Sequence, residues 1–212
     1  SDHGDWAGDY GLVEKWPSGL DDALTRVPLV VRSPGGAQGH VVNEPVELFD
    51  IVPGVLELAG IEPGHVHFAR SLVPQLAGAP GDADRAVFAE GGYDSFEPHC
   101  FEGKAGRDDF MIDKAQIYYP KGRLQQDRPE TVCRSVMIRT GDWKLIRRSS
   151  GRHELYELSA DPGELRNIYG TDATADVTRR LEERLLAWYL TTSDAVPFDE
   201  DPRGFTRNDR MG

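Results

Sequence analysis

The hydrophobic pattern of the chain changes near residue 80, and this change limits the folds that the chain can adopt. Before that point, a β-branched run at 28–32 predicts a buried strand. Apolar residues then recur at nearly helical spacing over 47–59, and Gly60 follows where a glycine commonly ends a helix. A short helix is also predicted over 18–25, with acidic residues near its start. Alternating strands and helices are expected of one flank of a parallel α/β sheet, so we predict an α/β region here.

Beyond residue 84 the apolar residues occur in short runs, which are typical of strands. The runs that we assign to strands are 86–90, 136–139, 143–148 and 154–158. Gly141 and Gly151 separate the last three runs, which indicates an antiparallel meander with hairpin turns. A later stripe of apolar side chains indicates a helix that packs on a core. Its members are Val177, Leu181, Leu185, Trp188 and Tyr189. The composition of 77–85 is that of a linker, so we predict a domain boundary there.

Charge and composition argue against two kinds of partner. The chain has 24 basic and 36 acidic residues, a net charge of −12, whereas nucleic-acid binding needs clustered positive charge. No apolar run reaches the ~18 residues of a membrane span, so a soluble protein without a membrane span is predicted. The sequence leaves the compartment open between the cytoplasm and a periplasmic or secreted location. It also leaves open whether the two cysteines, Cys100 and Cys133, form a disulfide.

The first fifteen residues hold the most chemically informative pattern in the sequence. Asp2 and His3 are adjacent, so their side chains can converge on one cation only from a loop or a strand end, and Gly4 supplies the freedom for this. Lys15 offers a point charge to sulfate or phosphate oxygens. The pattern therefore indicates a combined metal and anion site. Asp-His-Gly is also a common turn sequence, and the triplet alone leaves both interpretations open.

Motifs with a specific order and spacing extend this pattern through most of the chain. They begin with Ser-Asp-His-Gly at 1–4, Gly8, Gly11 and Lys15, and continue with Arg-Val-Pro-Leu-Val-Val-Arg-Ser-Pro-Gly at 26–35 and with the segments 46–61, 70–76 and 137–169. Together they resemble the second half of a type I sulfatase of the alkaline phosphatase superfamily. The resemblance implies that 1–80 is the C-terminal part of the α/β/α catalytic domain of a sulfatase. It also implies that 84–212 is the small antiparallel β subdomain of bacterial sulfatases, which ends in a packed helix.

The resemblance also implies roles for three side chains of the N-terminal pattern. In this family the residues that match Asp2 and His3 ligate the active-site divalent cation, and the lysine that matches Lys15 binds the sulfate group. Asp2 and His3 are therefore expected to be metal ligands, and Lys15 to be both a catalytic and a substrate-binding residue. Calcium is the usual metal of the family. Calcium prefers oxygen donors and imidazole suits manganese or zinc better, so the imidazole of His3 leaves the metal open. The ion that we assign is calcium, with manganese or magnesium as alternatives.

The nucleophile of the family does not occur in this sequence. It is a cysteine or serine in a C-x-[PA]-x-R motif, is oxidised to formylglycine, and lies N-terminal to the Asp-His pair. The residues after Cys100 and Cys133 do not fit this motif, and the paired aspartates that complete the family's metal site are missing too. We therefore expect the chain to be the C-terminal part of a longer enzyme, with the remaining N-terminal part as its partner. The chain alone is expected to be inactive.

The function predicted for the whole enzyme is metal-dependent hydrolysis of a sulfuric ester, with a sulfated small molecule or glycan as the substrate. The same Asp-His-Gly and lysine arrangement occurs in phosphonate and phosphate diester hydrolases of the superfamily, which remain an alternative. A further alternative is a fragment without activity that binds a glycan or complements another chain.

A long segment at 91–134 separates the first predicted strand of the second region from the other three. Loops of this length inside compact domains are commonly functional or disordered. Because the C-terminal subdomain of the family borders the active-site cleft, we expect the segment to shape the substrate pocket. His99 is the residue that we assign to substrate binding, with Lys104 or Lys121 as further candidates. The alternative is a surface excursion without a role in binding.

Basic residues are concentrated at 135–152, where Asp142 is the single acid. They are Arg139, Lys144, Arg147, Arg148 and Arg152. In a strand, Lys144 and Leu145 would lie on opposite faces, so the charges divide between the two faces. The pattern therefore predicts a solvated sheet surface.

Overall fold

A computed structural model of the protein describes residues 1–94, 113–116 and 118–195. The chain forms two compact units, one made of 1–28 and 88–175, the other of 29–87 and the chain from Asp176 onwards. The predicted boundary at 77–85 lies just before the passage from the second unit into the first. The assignment of 1–80 and 84–212 to two domains of a sulfatase stays a prediction.

The secondary structure of the described residues consists of short strands and mostly short helices. The strands are β1 (Trp6–Ala7), β2 (Val13–Glu14), β3 (Ala86–Gly91), β4 (Ser135–Thr140), β5 (Trp143–Arg148) and β6 (Glu154–Glu157). The α-helices are α1 (Asp22–Thr25), α2 (Ile51–Leu58), α3 (Val73–Leu76), α4 (Tyr119–Asp127) and α5 (Ala175–Thr192). One-turn 3-10 helices lie at Asp9–Gly11, Leu48–Asp50, Pro129–Val132 and Asp172–Thr174. None of the helices in the described part of the chain has the length and apolar character that a membrane crossing requires.

Strands β3 to β6 form a four-stranded sheet in the order β3-β4-β5-β6. The pairs β4–β5 and β5–β6 are antiparallel, which confirms the predicted meander. Ile138 pairs with Leu145, and Leu145 pairs with Leu155, so these three fully buried side chains share one face. The opposite face contributes to a second group of packed apolar side chains. That group is Leu20, Met137, Ile146, Tyr156 and Leu158. Both faces of the sheet are therefore covered.

Lys144 contradicts the predicted solvated sheet surface, because its side chain is fully buried. Its Nζ lies 2.9 Å from Oδ1 of Asp22 and 2.8 Å from Oε1 of Glu164. Arg139 also binds Asp22, with Nη1 at 2.9 Å from Oδ2. The predicted alternation holds, since Lys144 and Leu145 occupy opposite faces. The prediction fails because Leu20 and Asp22 of the N-terminal segment pack over the face that carries Lys144.

Glu164 completes this buried ionic cluster from the turn after β6. Its side chain is 2% exposed, and its carboxylate accepts the backbone N–H of Asp22 at 2.5 Å. Burial raises the pKa of Glu164 above its ordinary value, and the neighbouring Lys144 opposes this shift. The carboxylate therefore ties the first residue of α1 to the lysine of β5.

Gly4 is required by a close approach between two backbone segments. Its N–H donates to the carbonyl oxygen of Leu24 at 2.8 Å. A Cβ atom at Gly4 would clash with the carbonyl oxygen of Ala23 in α1. The structure thus requires the absence of a side chain at Gly4, whereas the sequence indicates a need for conformational freedom there. This packing against α1 holds the loop around His3 in place.

The mutation Gly4→Ala is expected to lower the free energy of unfolding by about 1–3 kcal/mol, because the added methyl group forces two backbones apart. Urea unfolding followed by circular dichroism measures this change. The mutation Gly64→Ala is the matched control, since a Cβ atom there would meet no atom within 4 Å. Equal losses of stability at the two positions would contradict the proposed clash.

The helix predicted over 47–59 is confirmed as a 3-10 turn at Leu48–Asp50 followed by α2. Gly60 has φ of +68°, a conformation that favours glycine, and the N–H of Ile61 donates to the carbonyl oxygen of Leu56 at 2.9 Å. This is the backbone arrangement in which many helices end. Of the short helix predicted over 18–25, only the second half forms, as α1.

Asp50 anchors the start of α2 within the second unit. It is fully buried and accepts the backbone N–H groups of Arg70, at 2.7 Å, and Glu47, at 2.9 Å. Its Oδ2 also lies 2.5 Å from Nη2 of Arg85. One carboxylate thus joins three segments of this unit.

The strand predicted at 28–32 does not form, so this prediction is wrong. No strand of the described residues pairs with this segment. Val30 is 92% exposed, and Leu29 and Val31 are exposed as well. A β-strand needs a hydrogen-bonded neighbour, and the described residues supply none.

Helix α5 confirms the apolar stripe predicted for the terminal helix. Leu181 and Leu185 are buried, and the other three members of the stripe are half-buried. The sequence between β3 and β4 contains α4 and, two residues before β4 begins, the buried thiol of Cys133, which is free. His99, Cys100 and Lys104 lie outside the described residues.

Candidate functional site

The side chains of Asp2, His3 and Lys15 come together around one imidazole nitrogen. Nζ of Lys15 lies 3.3 Å from Nε2 of His3, and Oδ2 of Asp2 lies 3.7 Å from the same atom. Nδ1 of His3 lies 2.8 Å from the carbonyl oxygen of Gly4. Because the lysine ammonium can only donate, we assign the imidazole proton to Nδ1, which donates to Gly4. The Nε2 lone pair then points toward Asp2 and Lys15.

A short hairpin brings Lys15 back to His3. Strands β1 and β2 are antiparallel, with Trp6 opposite Glu14 and Ala7 opposite Val13. The turn between them needs glycine, because Gly8 has φ of +117° and Gly11 has φ of +72°. The motif glycines of the sequence therefore build the reversal that places residue 15 beside residue 3.

Tyr10 and Trp6 fasten the hairpin to the rest of the first unit. The hydroxyl of Tyr10 donates to the carbonyl oxygen of Gly163 at 3.0 Å, and the Trp6 indole donates to Asp21 at 2.9 Å. Partial burial, followed by the field of Asp21, raises the pKa of Tyr10 to about 12. The phenol therefore remains protonated and able to donate at neutral pH.

The charge of Asp2 suits a role as a cation ligand. A hydrogen bond from its own backbone N–H, followed by the field of His3, lowers the pKa of Asp2 below its ordinary value. Asp5 adds a second carboxylate nearby, with Oδ1 at 3.9 Å from Nδ1 of His3. The side chains of Asp2 and Asp5 are mostly exposed. The site is thus an acidic, solvent-facing cluster around one oriented imidazole.

The donor set of this cluster fits part of a divalent metal site. A carboxylate oxygen and an imidazole nitrogen are ordinary ligands, and a backbone carbonyl that holds the other ring nitrogen is the usual outer contact of a metal-binding histidine. Within the described residues, no three or more His, Cys, Asp or Glu side chains form a group that could hold a metal ion. The assignment of Asp2 and His3 as metal ligands stays a prediction.

A second group of polar side chains meets at the carboxylate of Glu14, the residue before Lys15. Oε2 of Glu14 lies 3.1 Å from Nζ of Lys121 in α4, and Tyr118 also hydrogen-bonds to this carboxylate. Lys121, a candidate for substrate binding in the sequence, is thus paired with Glu14. The sequence does not reveal the contact between Glu14 and Tyr118, because no local pattern links residues 14 and 118.

Two family models match the chain in the order that the sequence motifs predict. The model described as sulfatase matches residues 1–61, and the model described as N-sulphoglucosamine sulphohydrolase, C-terminal, matches residues 104–190. The first match contains the Asp2–His3–Lys15 cluster, and the second contains the antiparallel meander and most of α5. The chain belongs to the type I sulfatases of the alkaline phosphatase superfamily. The predicted family is therefore confirmed.

Relatives of this sulfatase chain come from both animals and bacteria. Arylsulfatase K of Danio rerio is 30% identical over 202 residues, which cover 92% of this chain and 32% of the relative. The multifunctional alkaline phosphatase superfamily protein PehA of Trinickia caryophylli is 26% identical over 211 residues, which cover 97% of this chain and 37% of the relative. The sulfatase chain thus spans about a third of the length of the curated relatives it matches.

A solved structure supports the fold of this sulfatase chain. The phosphonate monoester hydrolase SpPMH from Silicibacter pomeroyi is 25% identical, with a TM-score of 0.69 over 98% of this chain and 37% of that structure. The predicted fold class, an α/β sulfatase region with an antiparallel sheet and a C-terminal helix, is confirmed by this likeness.

Proposed function

We propose that this chain supplies part of the metal and sulfate site of a metal-dependent sulfuric ester hydrolase. The observation that carries the proposal is the convergence of Asp2, His3 and Lys15 on one point, within 3.7 Å of Nε2 of His3. Asp2 and His3 would hold a divalent cation, with calcium as the expected ion and manganese or magnesium as alternatives. Such a cation, when bound, polarises the oxygens of the ester.

The residues of this chain would prepare the site for the reaction. The bond from Nδ1 of His3 to the carbonyl oxygen of Gly4 fixes the ring and leaves Nε2 as the nitrogen that would bind the cation, which would take the place of the Lys15 ammonium at this atom. The ammonium group of Lys15 would neutralise charge that develops on an ester oxygen as the S–O bond breaks. The substrate in this proposal is a sulfated small molecule or glycan. The formylglycine nucleophile would come from the remaining N-terminal part of the enzyme.

An exposed apolar surface of the second unit supports the proposed N-terminal part. Large apolar side chains remain at least 37% exposed along 29–31 and along both the 3-10 turn and the helix at 48–58. They are Leu29, Val30, Val31, Leu48, Phe49, Ile51, Val52, Val55 and Leu58. Large exposed apolar side chains in such number commonly mark interaction surfaces. The remaining α/β domain would offer a neighbouring strand to 28–32 and an apolar layer to α2.

Hydrolysis of a phosphonate ester is a second candidate function. The likeness to a phosphonate monoester hydrolase, at a TM-score of 0.69, favours it. A lysine ammonium is a point charge that suits phosphoryl and sulfuryl oxygens alike. Lys15 would therefore serve either ester.

The proposed function is tested by hydrolysis of 4-nitrophenyl sulfate and of 4-nitrophenyl phenylphosphonate with the full-length enzyme. We expect turnover of the sulfate ester, loss of this activity in EDTA, and recovery with calcium, manganese or magnesium. The isolated 212-residue chain is expected to hydrolyse neither ester. Activity that EDTA does not reduce would contradict the metal site. Turnover of the phosphonate alone would favour the second candidate.

A further inference from the structure

Glu14, which directly precedes Lys15, adopts a backbone conformation that is rare for its residue type. Its φ is +67°, although it pairs with Trp6 in the β1–β2 hairpin. Residues other than glycine seldom occupy this region, and the strain persists only where surrounding contacts hold it. The pairing with Trp6 and the contacts of the Glu14 side chain are the interactions that can hold this conformation.

The carboxylate of Glu14 makes these contacts with residues far away in the sequence. Nζ of Lys121 donates to Oε2 at 3.1 Å across a separation of 107 residues. The hydroxyl of Tyr118 donates to the same carboxylate. The Lys121 side chain is only 16% exposed and that of Glu14 is 35% exposed, so the ion pair is partly shielded from water.

The electrostatic surroundings keep the Glu14 carboxylate charged. Burial raises its pKa, but hydrogen bonds from Lys121 and Tyr118 outweigh this effect, so the pKa of Glu14 is lowered overall. Lys15 contributes in the same direction. Tyr118, which directly precedes α4, also lies in the electric field of Asp5 near the candidate metal site, and this field helps to raise the pKa of Tyr118.

We infer that Glu14 is a positioning residue, which holds Lys15 beside His3 by binding Lys121 of α4 and Tyr118, the residue that directly precedes this helix. We refer to residues 118–127 as the α4 segment. The left-handed backbone at Glu14 sets the direction in which the next side chain leaves the chain. If the carboxylate loses its partners, the backbone at Glu14 can relax to negative φ, and the Lys15 ammonium moves away from Nε2 of His3. The α4 segment thereby controls the geometry of the proposed anion site. The expected effect on catalysis rests on the proposed function, whereas the contact between Lys15 and His3 does not.

Nuclear magnetic resonance provides a test that does not need activity. The nuclear Overhauser effect between the Lys15 Hε and His3 Hε1 protons is expected to disappear in Glu14→Ala and in Lys121→Met. It should persist in Glu14→Gln, which keeps an acceptor oxygen for both partners. Asp127→Ala is the matched control, because it removes a mostly exposed carboxylate on α4 that binds Arg123 and does not contact the site.

Kinetics of the same variants in the full-length enzyme supply the second measurement. Glu14→Ala is expected to lower kcat for the sulfate ester by about 10- to 100-fold, as a displaced catalytic group does, with a smaller change in KM. Retention of both the proton contact and kcat in Glu14→Ala would overturn the inference. Loss of the contact in Asp127→Ala would overturn it too, because the site would then depend on α4 in general. If the wild-type enzyme is inactive but shows the expected proton contacts, the proposed function is refuted and the inference about Glu14 stands.

Discussion

Replacement of Lys144 by methionine is expected to lower the free energy of unfolding by about 3–5 kcal/mol. The loss is expected because the negative charges of two carboxylates would remain without the buried cation between them. Lys144 is fully buried, and its removal leaves the carboxylates of Asp22 and Glu164 without their shared cation, although Arg139 still binds Asp22. Methionine keeps an apolar chain of similar length, so the loss reports the missing charge. Urea unfolding monitored by tryptophan fluorescence measures the difference.

Lys114→Met is the matched control for this prediction, because Lys114 is exposed. Substitutions of exposed residues usually change stability by less than about 0.5 kcal/mol. If Lys144→Met loses no more stability than this control, the buried cluster has no net role in stability. Addition of Glu164→Gln to Lys144→Met should recover part of the loss, because it removes one of the stranded carboxylates.

Replacement of Lys15 by alanine in the full-length enzyme is expected to lower kcat for the sulfate ester by about 10²- to 10³-fold. In the proposed mechanism, the ammonium group stabilises charge that develops in the transition state, and alanine cannot replace it. Steady-state kinetics with 4-nitrophenyl sulfate measure the effect. Thermal unfolding of the same variant should be nearly unchanged, because Lys15 is exposed.

Lys114→Ala serves as the control for the loss of a positive charge in the first unit. Its kcat should match that of the wild type. A Lys15→Ala enzyme with more than about half of the wild-type kcat would remove Lys15 from the catalytic residues. A rise in KM at unchanged kcat would instead assign Lys15 to uniform substrate binding.

Local sequence patterns were sufficient wherever the chain folds on its near neighbours. The alternating runs of β4, β5 and β6 are separated by glycines, so strand type and pairing follow from short-range signals. Helix α2 and its end at Gly60 follow from apolar spacing and one glycine. The proximity of Asp2, His3 and Lys15 also follows from a hairpin within fifteen residues, once Gly8 and Gly11 mark its turn.

Long-range packing explains the predictions that failed. Alternation along β5 correctly separates Lys144 from Leu145, but it cannot reveal that Asp22 covers the lysine. The run at 28–32 has strand composition, yet a strand exists only beside a partner, and none is present in the described residues. Glu14 shows the same limit at the candidate site. Its partners in the α4 segment are more than one hundred residues away, and only the folded chain brings them together.

The contact between Asp22 and Lys144 has a consequence for how the protein is made. The two residues are separated by 122 positions, and the whole second-unit segment 29–87 lies between them. At ordinary rates of translation, a ribosome needs on the order of ten seconds to add that many residues. Asp22 leaves the ribosome well before β5 is made and remains hydrated until then, and hydration is favourable for a charged carboxylate. Leu20, two residues earlier, is apolar, and its side chain stays exposed to water and to chaperones until the sheet that buries it has formed.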